Sequence, residues 1–143
     1  MTEQDERLAA ALSAEYAAIF AYGPIGVRLS GEQAREARAA EAAHRARRDA
    51  LVVRLAESGA TVPAAEPAYT LPFPVTDAAS AMRLAIEIES RTAAVWRAVV
   101  PATTDAQRRQ AIEALTDCAV RATRWRLHAG VVPATVAFPG RPG

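Results

Sequence analysis

The chain contains no lysine. All 17 basic residues are arginine, and against 16 acidic residues they leave a formal net charge of +1. That balance excludes the strong positive field of an electrostatic nucleic-acid binder and a charged funnel for acidic substrates. The missing lysine reads first as GC-rich coding bias and only second as a chemical choice. A single cysteine, Cys118, excludes a disulfide framework within the chain and fits a reducing cytoplasm. The two histidines, His44 and His128, give no basis for a Ser-His-Asp relay, and no catalytic constellation can be argued. The seven glycines fall at turns and in the tail, so a glycine-rich phosphate loop is excluded. No apolar run approaches the ~20 residues of a membrane span. The acidic start, Met1-Thr2-Glu3-Gln4-Asp5-Glu6, lacks the apolar segment of a signal peptide. The expectation is a cytoplasmic protein with neither nucleic acid nor membrane as partner.

What is present is alanine, which dominates the 51% hydrophobic fraction. Alanine has the best helix propensity and little bulk, so the composition suits closely packed helices rather than sheets. A chain of 143 residues is long enough for one domain around one core. Four helices are expected, at about 5–29, 31–58, 77–100 and 104–128. Gly23-Pro24 predicts a kink in the first. Ser30-Gly31-Glu32-Gln33 predicts a break and a capping box for the second. Thr76-Asp77 caps the third, Pro101 ends it, and Thr104-Asp105-Ala106-Gln107 opens the fourth. Pro63, Pro67, Pro72 and Pro74 keep 59–76 out of helix, and Pro133, Pro139 and Pro142 make 130–143 an extended arm. The apolar residues of that arm would be wasted in solvent, which predicts that it packs back on the bundle or on a second subunit.

Connection lengths set the topology. Tight turns join helices one and two, and three and four, giving two antiparallel hairpins. A helix of ~26 residues is roughly 39 Å long. The Pro-rich stretch can reach about 56 Å when extended, far enough to traverse the bundle. The predicted fold class is therefore all-α: a ferritin-like four-helix bundle whose two hairpins are joined by a long Pro-rich crossover.

An internal repeat supports the pairing. Leu8, Leu12, Glu15, Ile19 and Tyr22 form an apolar stripe in helix one, and Met82, Ile86, Glu89, Ala93 and Trp96 repeat its spacing 74 residues on. Each stripe carries one glutamate among apolar neighbours, where an unpaired charge costs several kcal/mol. Each therefore needs a partner, a metal or a proton. Helix two carries Glu41-Ala-Ala-His44, the Glu-x-x-His step of ferritin-like di-iron sites. The same offset maps Glu41 onto Leu115 and His44 onto Cys118, so helix four lacks the matching half-site. Its seam reads Ala111, Leu115, Cys118, Ala122 and Trp125. Glu87 lies off the seam of helix three, Glu113 and Asp117 project from other faces of helix four, and His128 sits at a frayed end.

Two readings compete for the interior. Glu15, Glu41, His44 and Glu89 offer three carboxylates and one imidazole, a set able to hold one Fe, Mn or Zn ion. Alternatively they form a buried polar network in which Arg48, one turn after His44, neutralises a carboxylate. The absent half-site and the nearby guanidinium favour the network. Tyr16, Tyr22, Cys118 and Trp125 are expected as packing residues, with Arg124 and Arg126 flanking Trp125 and reaching ion pairs. A small apolar ligand between the alanine-rich helices is a third, weaker idea, which requires a cavity.

Several stretches together resemble a ferritin-like family of bacterial proteins, domain of unknown function 4439. They are Glu15-Tyr16-Ala17-Ala18 through Ala21-Tyr22-Gly23, His44-Arg45-Ala46-Arg47-Arg48-Asp49 and Leu71-Pro72-Phe73-Pro74-Val75. To these are added Arg121-Ala122-Thr123-Arg124-Trp125-Arg126 and Ala137-Phe138-Pro139-Gly140. The likeness covers nearly the whole chain. It implies the fold and supplies no activity. In that family Glu15 is often followed by His, where this chain has Tyr16, which removes a further ligand. The sequence thus predicts a non-catalytic binding or structural module with a degenerate metal site, built as a homodimer. Its alternative is a single-metal redox or oxygen-handling protein using Glu15, Glu41, His44 and Glu89. Arg48, Tyr16 and Arg124 are expected as buried polar partners.

Overall fold

Four long helices make up the protein: α1 (Glu3–Val27), α2 (Gly31–Glu57), α3 (Ala78–Val99) and α4 (Asp105–Ala129), with one 3-10 turn at Val100–Ala102. This is a computed structural model that describes residues 1–141, and no strand occurs among the described residues. Pro142 and Gly143, the end of the expected arm, lie outside the described residues.

The first helix starts two residues earlier than expected. Thr2 and Asp5 form a capping box, the Thr2 hydroxyl accepting from the Asp5 amide while the Asp5 carboxylate accepts from the Thr2 amide. The expected box at Ser30 does not form, nor does a side-chain cap at Thr104. Gly31 (φ 56°) and Asp105 (φ 49°), the first residues of α2 and α4, adopt left-handed backbone where a regular first turn would have right-handed angles. Asp77 caps α3 as expected, accepting from the Ser80 amide. Pro24 sits inside the last turn of α1, which runs unbroken to Val27. Gly130 closes α4 in the left-handed conformation (φ 70°) that L-residues with a Cβ resist.

Helix α1 packs against α2 and α3, and α3 packs against α4. Two apolar clusters result. One gathers Tyr22, Ile25, Leu29, Ala37, Ala40, Leu84, Ile88 and Trp125, with Leu71, Phe73 and Val75 of the interhelix segment against it. The other gathers Leu8, Leu12, Leu51, Leu55, Trp96, Val99, Ala111 and Cys118, with Ala60 and Val62 against it. The buried stripes match the predicted seams at Leu8, Leu12, Glu15, Tyr22, Glu89, Ala93 and Trp96. Ile19, Met82, Ile86 and Leu115 are only partly buried, because the wider inward faces centre on Ala11, Ala18, Leu84, Ala85 and Ala114 instead. By length and composition α1 is apolar enough to cross a membrane, a test that a core helix also passes. Its inward face here is buried, with a glutamate at its centre. After α4 the tail folds back: Arg126 donates to the Ala134 carbonyl and Arg97 to the Pro139 carbonyl.

Candidate functional site

Between the two apolar clusters lies a layer of buried charge. Glu15 on α1, His44 on α2 and Glu89 on α3 are all fully buried. His44 Nδ1 lies 2.5 Å from Glu15 Oε2, and its Nε2 lies 2.9 Å from Glu89 Oε1. Neutral imidazole has one donor and one acceptor nitrogen, so it would turn a lone pair on one of these carboxylates. Imidazolium satisfies both. Burial on its own would depress the His44 pKa, but hydrogen bonds and charge from Glu15 and Glu89 raise it to about 9. Burial likewise pushes the Glu89 carboxyl up, and His44, Arg121 and the Tyr22 hydroxyl outweigh it and hold the pKa below the ordinary value.

The remaining donors complete the layer. Trp96 Nε1 donates to Glu15 Oε1 at 2.8 Å, and the Tyr22 hydroxyl donates to Glu89 Oε1 at 2.7 Å. Tyr22 in turn accepts from Trp125 Nε1 at 3.1 Å. Arg121 on α4 donates to both Glu89 oxygens, at 3.3 and 3.4 Å, and to Asp117 Oδ2 at 2.7 Å. Arg47 on α2 reaches the same Asp117 oxygen at 2.6 Å. Charges therefore alternate along Glu15, His44, Glu89, Arg121, Asp117 and Arg47, from the core outward across all four helices. No buried side-chain polar atom among the described residues lacks a partner. Burial raises the Tyr22 hydroxyl and Cys118 thiol pKa values well above their ordinary values, with the carboxylate of Glu89 adding to each, so both stay protonated.

The 74-residue repeat becomes visible as chemistry here. Tyr22 and Trp96 are equivalent positions, and each donates across the bundle to the other stripe's glutamate. Arg47 and Arg121 are equivalent too, and both grip Asp117. The network is reciprocal about α1 and α3.

Several expected site residues lie elsewhere. Glu41 does not join the interior. Its side chain is 29% exposed and paired with Arg45 at 2.7 Å, one turn along the same helix. Arg48 does not neutralise a buried glutamate but pairs with its exposed neighbour Asp49. Tyr16 is half-buried and donates to the Pro63 carbonyl at 3.3 Å. Arg124 is exposed, while Arg126 reaches Ser90 and Ala134. Asp117, expected on another face, is the outer anchor of the network. His128 is inside α4 and pairs with Glu36 at 3.0 Å. Sequence reasoning missed Arg121, Trp96 and Tyr22 as polar partners. The repeat offset linking Tyr22 to Trp96, and Arg47 to Arg121, was the signal that could have found them.

The donor set does not suit a metal ion. Glu15 and Glu89 approach opposite nitrogens of one imidazole, so they do not converge on a single lone pair. Arg121 occupies the flank of Glu89 that a second ligand would need. Among the described residues no group of three or more His, Cys, Asp or Glu side chains is arranged to hold a metal.

A family model described as Domain of unknown function (DUF4439) matches residues 7–143. The chain belongs to this family. Among solved structures, the crystal structure of a conserved hypothetical protein, rv2844, from Mycobacterium tuberculosis is similar to this DUF4439 chain with a TM-score of 0.86 and 41% identity. The match covers 95% of this chain and 96% of that one. Comparison with curated proteins finds no match. Neither the family description nor the neighbour's description names an activity, so the functional argument rests on the geometry of this DUF4439 bundle.

Proposed function

We propose that this protein is a ferritin-like bundle in which a buried ion network stands where metal chemistry would be, and that it works as a binding or structural module. The architectural part of the reading is supported by the two clusters. Residues from the start of α1 and α4 share one cluster with the ends of α2 and α3. The other cluster reverses the pattern. Such membership fits two antiparallel hairpins. The segment between α2 and α3 contributes Ala60 and Val62 to one cluster and Leu71, Phe73 and Val75 to the other, as a crossover along the bundle would.

The observation that carries the functional part is that both ring nitrogens of His44 lie against carboxylates, Glu15 at 2.5 Å and Glu89 at 2.9 Å. An imidazole held as a cation between two carboxylates has no lone pair for a metal, and coordination requires it to be neutral. Elemental analysis of protein purified without chelators, and again after reconstitution with Fe or Mn, tests this. The expected outcome is substoichiometric metal that His44→Ala leaves unchanged. Near-stoichiometric Fe or Mn that disappears in His44→Ala would overturn it in favour of a single-metal redox protein.

A further inference from the structure

We propose that the cleft between the α3–α4 pair and the folded-back tail binds a phosphate monoester with an apolar chain, its phosphate held by Arg97 and Arg141 and its chain resting on Val120, Val136 and Phe138. The proposal rests on the reading of the protein as a binding module and names its ligand class.

The tail makes the cleft. After Gly130 it returns along α3 and α4, tied by Arg126 to the Ala134 carbonyl and by Arg97 to the Pro139 carbonyl. A cleft of about 780 Å³ remains between tail and helices, within the roughly 300–1,000 Å³ typical of small-molecule sites. Its apolar wall is open to a ligand. Val120 is 45% exposed, Val136 50% and Phe138 58%, and all three line the cleft. The buried Ala93 and Ala122 give it depth rather than contact area.

Charge selects the sign of the ligand. Arg97, Arg124, Arg126 and Arg141 line the cleft, and no acidic side chain does. Four acidic residues lie within one turn of the lining on α3 and α4. Glu87 is paired with Arg91. Glu89 and Asp117 belong to the buried network, whose three anions already face His44, Arg121 and Arg47. Glu113 lines the opposite groove, between α2 and α4. Counting Glu113 against the four arginines, and also the terminal carboxylate of Gly143 outside the described residues, still leaves two positive charges. That excess matches a phosphate monoester, which carries close to two negative charges above its second pKa near 6, and arginine's planar fork fits phosphate oxygens. A second copy of the chain meeting this face about a twofold axis would bring four more guanidiniums against these four, so an anion covers it better than the protein itself.

Arg97 and Arg141 are the pair with donors to spare. Arg97 spends one nitrogen on Pro139, leaving four of its five donors. Arg141 makes no ion pair or side-chain hydrogen bond among the described residues, and its guanidinium carbon lies 5.6 Å from the Phe138 ring centroid. Gly140 sits so close to α3 that a Cβ on it would be 3.0 Å from the Arg97 Cβ, which makes residue 141 a near neighbour of Arg97. Charge and apolar surface therefore meet at one end of the cleft.

Decyl phosphate, decanol and inorganic phosphate, each below its aggregation limit, are titrated into the full chain at pH 8 and followed by calorimetry. Saturable binding of one decyl phosphate per chain is expected, with decanol and inorganic phosphate each at least roughly tenfold weaker, the scale of one charge-assisted hydrogen bond. Arg141→Gln should weaken decyl phosphate about tenfold and leave decanol unchanged. Phe138→Ala should weaken both. Arg38→Gln, at an exposed arginine of α2, should change neither. Because the tail is one wall, bound ester should also slow proteolysis after Gly130. Equal affinity for decyl phosphate and decanol, equal affinity for decyl phosphate and inorganic phosphate, undiminished binding in the two cleft variants, or binding by none would each overturn the proposal. Flotation with phosphatidylcholine vesicles, with and without phosphatidate, assigns the source: binding only with phosphatidate supports the site with a lipid headgroup as its ligand, and no vesicle binding supports it with a soluble ester. Elemental analysis reads out metal independently, so failure of the ligand and failure of the module reading are distinguishable.

Discussion

Raising the pH from 6 toward 9 perturbs the buried layer at one identifiable point. His44 is fully buried with a pKa of about 9, against 6.5 for an unperturbed histidine. A raised pKa means that the native state holds the proton more tightly than the unfolded chain does. The contribution of His44 to stability is therefore complete below pH 6.5 and is lost as pH rises through 9. Between those values the unfolded state has released its proton and the native state has not, so unfolding free energy falls by about 1.4 kcal/mol per pH unit. The whole interval amounts to about 3 kcal/mol. With an unfolding entropy near 2.1 cal/mol/K per residue, a chain of this length should lose roughly 10 °C in melting temperature. Glu89 works in the other direction. Its pKa is lowered, so its contribution is present above the ordinary carboxylate value and is lost as pH falls through the lower folded one. Cys118 and Tyr22, with raised values, begin to favour unfolding only above their ordinary values of 9 and 10. The interval from 6.5 to 9 thus belongs to His44. Thermal unfolding by circular dichroism across pH 5–10, repeated with Cys118→Ala, isolates it. A melting temperature flat from pH 6.5 to 9, or a His44 resonance, assigned by its loss in His44→Ala, titrating at 6.5 in the folded protein, would refute the imidazolium bridge.

Arg121→Leu should cost about 3 kcal/mol in chemical denaturation, because it strips Glu89 and Asp117 of their shared cation while both remain charged; a change below 1 kcal/mol would contradict the network. Glu41→Gln should cost less than about 0.5 kcal/mol, as expected for a largely exposed i,i+4 pair, and should leave the pH profile of stability unaltered. Gly140→Ala should lift the tail. A Cβ there would meet the Ala93 carbonyl oxygen at 2.7 Å on a backbone already at φ +77°, so faster proteolysis after Gly130 and a loss of about 1–2 kcal/mol are expected.

The helices were readable because their boundaries are local chemistry. Proline clusters, alanine runs and the Thr-Asp cap at residues 76–77 act within one turn, and the four segments fall within two residues of where those signals place them. The pair of buried glutamates was also readable, since one charge in each of two matched apolar stripes demands a partner. What failed was the angular resolution of the Glu-x-x-His step. Residues three apart differ by about 60° around a helix. Once His44 occupies the centre of the inward face, Glu41 falls on its margin, where Arg45 is already within reach. The same reasoning misplaced Arg48, which lies one turn beyond His44 in sequence while its guanidinium turns along the surface toward Asp49.

Arg121 was invisible for a different reason. As one of 17 arginines it carries no local mark, and its contact with Glu89 spans 32 residues and two helices. Charge balance nonetheless required something like it. Glu15 and Glu89 bring two negative charges into the core and His44 returns one positive, which leaves one charge for a second cation or a proton to neutralise. Arg121 supplies that cation, and Arg47 and Asp117 extend the alternation to the rim as one further cation and anion. Three negative groups then face three positive ones. A divalent ion entering this layer would have to expel the His44 proton and push Arg121 aside, leaving a guanidinium only 15% exposed without its buried anion. Arg121 would keep Asp117 as its one partner, and the lost Glu89 contacts together with the lost His44 proton are what a metal would have to offset.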